Sequence, residues 1–231
     1  MRVIVLCLVL ALFAGGVSGC SGNKEEERKA FIVFLSVKVL PRKGVALPEL
    51  TREEKRSFGD GADLYALLLN YQKTMAEETG KNAKELLGLA AIENLEALAK
   101  AERSLKKAMA EAEKLQALAV SLREKTNNAK AKMNLPEDLA SVYNAVYDKV
   151  VTLPADASAA AFGAARASFA ATLALLDFID TNSRDMEVVG ASINLKNLAF
   201  KDDLQAKMDA VRVSAADLRR AYAAMMQVMF H

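Results

Sequence analysis

Apolar side chains recur at steps of three and four along nearly the whole chain, and they alternate in only one short stretch. The first such segment predicts a helix from about Lys24 to Leu40, with Phe31, Phe34, Leu35 and Lys38 on one face and Pro41 as its stop. Pro41 to Pro48, with Gly44 between the two prolines, carries turn chemistry. Thr51 and Glu54 match a capping box that opens a short helical turn, which Gly59-Asp60-Gly61 interrupts. A second helix is expected from about Ala62 to Glu78, its stripe made by Leu64, Leu68, Tyr71 and Met75, with Gly80 as its C′ residue.

Asn82 and Glu85 form another capping pair and predict a long helix from about Ala83 to Lys125. Leu98, Leu105, Ala112 and Ala119 recur every seventh residue there, with Ala101, Ala108, Leu115 and Leu122 as the companion row. Alanine at half of such a seam lets a neighbouring helix approach closely. Glu96–Lys100 and Glu102–Lys106 are i,i+4 pairs on its solvated side. Asn127-Asn128 and Asn134-Leu135 mark a break, and Pro136 suits the first position of a helix carrying Leu139, Val142, Tyr143, Val146 and Val150. Leu153-Pro154 ends or kinks it, and an alanine-rich helix with Phe162, Phe169, Leu173 and Leu176 follows from Ala155 to Asp180. Met186 and Val188, then Ile193 and Leu195, alternate around Gly190-Ala191 and predict a small β-hairpin near residues 186–195. Asp202 with Gln205 caps a last helix running to about Met229. Its stripe (Leu204, Met208, Val211, Ala215, Leu218, Tyr222, Met225, Met229) marks it as a core helix. The fold class expected is all-α, an elongated antiparallel bundle of five to six helices with that hairpin attached.

The N-terminus differs from everything after it. Arg2 precedes an unbroken apolar run of 12 residues, Val3 to Ala14, and Gly15-Gly16 ends that run. A secretory h-region is roughly 7–15 residues long, whereas a membrane span needs about 20. Residues 1–19 therefore read as an export signal that is removed. The next four residues, Val17-Ser18-Gly19-Cys20, resemble the lipobox of bacterial lipoproteins. That resemblance implies cleavage after Gly19, diacylglyceryl transfer to the Cys20 sulfur and acylation of the new amino group. Ser21 at the next position is not the aspartate associated with inner-membrane retention, so the periplasmic face of the outer membrane is the expected address. Residues 20–28 read as the lipidated N-terminus and a short polar tether, and residues 29–231 as one helical-bundle domain.

Composition narrows the function classes. Removing residues 1–19 from the 231 leaves 212, enough for one sizeable core, and leaves 30 basic against 29 acidic side chains. That near-balance offers no footprint for nucleic acid or for electrostatic docking on headgroups. Cys7 leaves with the signal and Cys20 is acylated, so no disulfide is available and stability rests on packing.

Arg28-Lys29-Ala30-Phe31-Ile32 with Phe34-Leu35, then Leu47-Pro48 and Leu50-Thr51, Lys55, Phe58-Gly59, Asp63, Tyr65 and Tyr71, form one block. Lys149-Val150-Val151-Thr152 with Pro154-Ala155-Asp156-Ala157 form a second. In these blocks the chain resembles the YiaF-like lipoproteins of enteric bacteria, a family of unknown function. The resemblance implies lipidation, an envelope location and a helical fold, and it supplies no catalytic or ligand-binding residue.

Reactive chemistry is sparse. The only histidine, His231, is terminal, and without a free thiol the Ser-His, Cys-His and Cys/His zinc arrangements are excluded. Gly59-Asp60-Gly61 lacks the strand and lysine of a phosphate loop and reads as a turn. Tyr65, Tyr71, Tyr143 and Tyr147 sit at helical spacing beside aliphatic residues and read as core. Met225 and Met229 fall on the last helix's stripe, leaving Met226 spare. No metal or cofactor is called for. Three functions fit. One is a non-enzymatic scaffold or interaction module held to the membrane through the lipid on Cys20, with an envelope protein or peptidoglycan as partner. The second is a carrier of an apolar ligand held between helices whose alanines leave room. The third is a hydrolase using carboxylates alone, for which Asp177 and Asp180 are the candidates.

Overall fold

The computed structural model describes residues 19–90, 95–190 and 192–231. The chain is helical from its first described residue. Helix α1 (Gly19–Phe34) passes into a π-turn over Leu35–Val39. Residues 21–28, expected as a tether, are thus helical: Glu, Lys and Arg are good helix formers, and Glu25 pairs with Lys29 one turn on at 2.6 Å. The π-turn also corrects the inward face. Phe31, Phe34 and Leu35 are buried as expected, but Lys38 is exposed and Val39 takes the inward place, because one extra residue per turn delays the phase by a position. Lys38 instead reaches Glu54 at 2.8 Å and lies over the Phe34 ring.

The Thr51–Glu54 capping box forms with both of its bonds, opening α2 (Arg52–Ser57). Gly59 has a φ of +49°, which supplies the sharp return into α3 (Gly61–Ala90). That helix passes straight through Gly80 and Asn82, so neither the expected C′ glycine nor the expected capping pair ends or starts anything. Gly80 has no positive φ, and Leu86 beyond it is buried against Leu105 and its neighbours, which stabilises the continuation. The expected long helix 83–125 is accordingly divided. Its first residues belong to α3, and α4 (Leu95–Lys100) and α5 (Glu102–Ala131) follow. Asn127-Asn128 does not break α5, because Asn127 Oδ1 accepts the Tyr147 hydroxyl at 2.7 Å instead of competing for backbone. On α5, Leu105, Ala108, Ala112, Leu115 and Ala119 are buried, as the heptad pattern requires. Glu102 and Lys106 pair in the open at 2.6 Å.

Pro136 precedes α6 (Glu137–Tyr147), which a second π-turn (Asp148–Thr152) joins to α7 (Leu153–Thr181). Pro154 therefore neither ends the helix nor stops its core face. The Leu153 N–H bonds back five residues to the Asp148 carbonyl, and this wider turn opens the place where the proline ring would meet the Val150 carbonyl. The resulting rod of 45 residues is long and apolar enough to cross a membrane by length and composition, but its buried side chains are the core of the bundle.

Strands β1 (Met186–Val189) and β2 (Ser192–Leu195) pair antiparallel, with Met186 opposite Leu195 and Val188 opposite Ile193. Those four side chains lean on the second of two core clusters, which is why so small a ribbon persists. Asn197 accepts the Ala199 N–H at 3.0 Å and starts a 3₁₀ turn, so the cap lies upstream of Asp202 and α8 begins at Lys201, running to Phe230.

Around α7, α5 runs antiparallel, with Arg123 meeting Asp156 and Gln116 beside Gly163, and so does α8, with Phe200 near Phe178 and Met225 near Phe162; α3 packs against α5. Helix α1 is the exception. Arg28 meets Asp138, and Lys149 meets the carbonyls of Val39 (3.4 Å) and Leu40 (2.9 Å), a constant offset that only parallel helices give. One core cluster joins Phe31, Phe34, Phe58, Tyr65 and Tyr143; the other joins α5, α7, α8 and the hairpin. Helix α8 is not the core helix its pattern suggests. Only Leu204 and Leu218 are buried and Met208 is 41% exposed, because α7 alone covers its length and its other flank meets solvent.

A Cβ placed on Gly80 meets nothing within 4 Å, and the residue is exposed in mid-helix. Gly80→Ala is expected to stabilise the fold by about 0.5–1 kcal/mol. Thermal melts followed by circular dichroism check this as an increase in Tm.

Candidate functional site

The expected lipidation site lies at the edge of the described residues. Gly19, Cys20 and Ser21 form the first turn of α1 in backbone, whereas Val17 and Ser18 lie outside the described residues. The helix carries this turn directly into the aromatic cluster, where Phe31 and Phe34 meet Phe58 at ring-centroid distances of 5.4 and 5.0 Å.

Helix positions also decide the other candidates. Asp177 and Asp180 are exposed on α7, so the carboxylates proposed for hydrolysis have no sheltered site between them. Gly59-Asp60-Gly61 is the turn between α2 and α3. Among the described residues no cluster of His, Cys, Asp or Glu has metal-binding geometry. Tyr65, Tyr71, Tyr143 and Tyr147 are all core residues. Tyr65 donates to the Pro48 carbonyl at 2.7 Å and Tyr143 to the Leu64 carbonyl at 2.9 Å. Burial pushes all four hydroxyls up, Tyr147 to about 12. Tyr71 stands apart: its hydroxyl is buried and has no hydrogen-bond partner, as does Nε of Arg123.

One concave feature went unnoticed in the sequence. Residues 43–46, the middle of α3, the start of α7 and the last turns of α8 enclose two adjoining apolar hollows of about 270 and 430 Å³. The hollows share Val45, Ala46, Thr79 and Met229. The Tyr71 ring, Met75 and Val150 line the first; Phe162, Met225 and Met226 line the second. The methionines are half-buried there rather than packed in the core. The alanines of the α5–α7 seam do not make this room; they bring helices together, and the hollows lie elsewhere.

The strap over the hollows is fastened at both edges. Gln72 donates to the Val45 carbonyl and accepts the Leu47 N–H at 3.1 Å, while the Val45 N–H donates to the Met229 carbonyl at 3.2 Å. Gly44 turns with a φ of +67° and approaches α8 so closely that a Cβ would stand 2.6 Å from the Met229 oxygen. The one sequence signal was Gly44 between two prolines, which marks a turn but not what the turn covers. Lys149 caps the end of α1 from behind, donating to the Leu40 and Arg42 carbonyls. Its pKa is lowered by burial first and by the nearby Arg42 charge second.

A helical bundle with an appended hairpin and an apolar groove defines a class by shape alone. The family model described as "Protein of unknown function (DUF3053)" matches residues 3–226, and the chain belongs to that family. The protein is similar to the "Uncharacterized protein YiaF" of Escherichia coli strain K12, of Escherichia coli O157:H7 and of Shigella flexneri. Each is 29% identical over 157 residues, 65% of this chain. The chain spans 64% of the length of these curated relatives. No solved structure matches it.

Removing an unpaired buried hydroxyl forfeits no hydrogen bond, so Tyr71→Phe should leave stability unchanged or raise it. Tyr143→Phe should cost about 0.5–1.5 kcal/mol through loss of its bond to the Leu64 carbonyl. Urea denaturation of the two variants separates these outcomes. The tyrosines also set an alkaline limit. Their folded pKa values lie above the unfolded value near 10, so their contribution is complete below about pH 10 and is lost as pH rises towards 12 and beyond. In a Tyr222→Phe background, where only these four tyrosines remain, tyrosinate absorbance should therefore rise together with loss of helical signal, and not before it.

Proposed function

We propose that this chain is a lipid-anchored, non-enzymatic envelope protein that presents a rigid helical bundle at the periplasmic face of a bacterial outer membrane. The observation that carries the reading is Val17-Ser18-Gly19-Cys20 directly after a 12-residue apolar run. Three acyl chains on one terminal cysteine anchor almost permanently, given about 0.8 kcal/mol per buried CH₂. Helix α1 supports it mechanically. From Cys20 to Phe31 the helix spans about 16 Å without a break, so an anchor there holds the whole bundle in a defined attitude. The uncovered flank of α8, with Met208 and Val213 exposed, suits contact with an envelope protein or with peptidoglycan. A second reading, carriage of an apolar ligand, is favoured by the groove under residues 43–46.

Cys20→Ala should move the protein from the membrane fraction to the soluble envelope fraction and abolish incorporation of labelled fatty acid. A variant that remains membrane-bound and labelled would overturn the anchor.

A further inference from the structure

We propose that the groove beneath residues 43–46 binds one long-chain fatty acid, its hydrocarbon along the methionine-lined wall and its carboxylate at Lys43. The site deepens the carrier reading above and takes only its supply of ligand from the anchored location.

Size limits the occupant to one chain. At about 30 Å³ per methylene-sized group, the larger hollow admits on the order of 14 such groups, with the smaller hollow continuing it past Met229. Two chains of a phospholipid need about double that. The groove lies in the volume range of about 300–1,000 Å³ typical of small-molecule sites. Each wall contributes apolar side chains, Val45 and Ala46 from the strap, Met75 from α3, Phe162 from α7, Met225 and Met229 from α8, with Gln72, Thr79 and Ser158 as uncharged polar neighbours. Unbranched thioether side chains follow the contour of a flexible chain better than branched ones do.

Charge selects the head group. Lys43 is the one charged side chain lining either hollow, it is exposed at the rim, and no acidic side chain pairs with it among the described residues. Arg42 stands beside it, and neighbouring Lys149 is committed to backbone carbonyls. A single anionic head thus meets an unanswered cation, while a cationic or neutral one gains nothing.

The protein's own anchor does not reach this place. From Cys20 to Leu40 the α1 rod covers about 30 Å. One extended acyl chain spans half of a bilayer's hydrocarbon core, about 15 Å. The groove therefore takes a separate molecule, held well away from the anchoring cysteine.

The test is photolabelling of the full-length protein in intact cells with a palmitic acid carrying a diazirine and an alkyne, followed by peptide mapping. Cross-links are expected on peptides containing Val45–Ala46 and Met225–Met229. Excess palmitate should suppress them, Lys43→Glu should weaken them at least tenfold, and Ala46→Trp, which fills the groove from an exposed position, should abolish them. Ala76→Trp repeats the block from the α3 wall should Ala46→Trp fail to fold by circular dichroism. Label spread equally over the exposed Val37, Leu198 and Met208 peptides, or unaffected by both tryptophans, would overturn the site. So would suppression by lysophosphatidylethanolamine but not palmitate, or a cross-link from the groove to a second copy of the chain. In the Cys20→Ala background groove labelling should persist after release from the membrane. Loss of the anchor reading and loss of the groove are thereby read separately.

Discussion

The helical rod from Glu137 to Thr181 has to pass a proline without losing its direction, and the rest of the bundle hangs on its doing so. Pro154 lacks an N–H, and in an ordinary α-turn its ring would press on the carbonyl four residues back. The π-turn at Asp148–Thr152 widens the backbone just before the ring and keeps Val150, Val151, Pro154 and Ala155 facing inward in sequence. Helix α1 lies along the first half of this rod, α5 and α8 along the second, and α3 contacts both halves. A broken rod would leave two small cores with no common axis.

Closeness between α5 and α7 follows from side-chain size. Ala108, Ala112 and Ala119 face a helix that also presents Ala161 and Ala165, so the backbones approach until little more than methyl groups separate them. Larger residues close the ends: Leu105 and Leu115 on α5, Phe162 and Phe169 on α7. The polar groups buried in the same region are self-satisfied. Thr126 and Thr172 return their hydroxyls to carbonyls one turn back, at 2.7 and 2.9 Å. Glycine admits close approach where a side chain would not fit, in the turns at Gly44 and Gly59, at Gly61 against Phe31, and within α7 at Gly163 against Gln116.

The groove arises where that economy stops. Helix α8 is long enough to pass the strap, and among the described residues no second helix covers its outer side, so its last turns touch α7 on one face and residues 43–46 on the other. Methionines fill the angle incompletely. The groove thus lies in the part of the bundle least able to pack itself.

Periodicity alone was sufficient for the helical class, the existence of a hairpin around Gly190, the α5 seam and the Thr51 cap, because each depends on neighbours within a few residues or on a repeat of fixed length. The family resemblance was equally legible in the blocks around Phe31 and Lys149. Where helices end was not legible: Gly80, Asn82 and Asn127 carry stop signals worth about 1 kcal/mol, and buried partners such as Leu86 and Tyr147 outweigh them. The fate of Lys38 depended on a π-turn that no spacing announces, and the half-exposure of α8 on how many helices remained to cover it. The groove needed four segments far apart in the chain to meet. A sequence records which face of each helix is apolar; only the assembled tertiary structure decides how much of that face finds a partner.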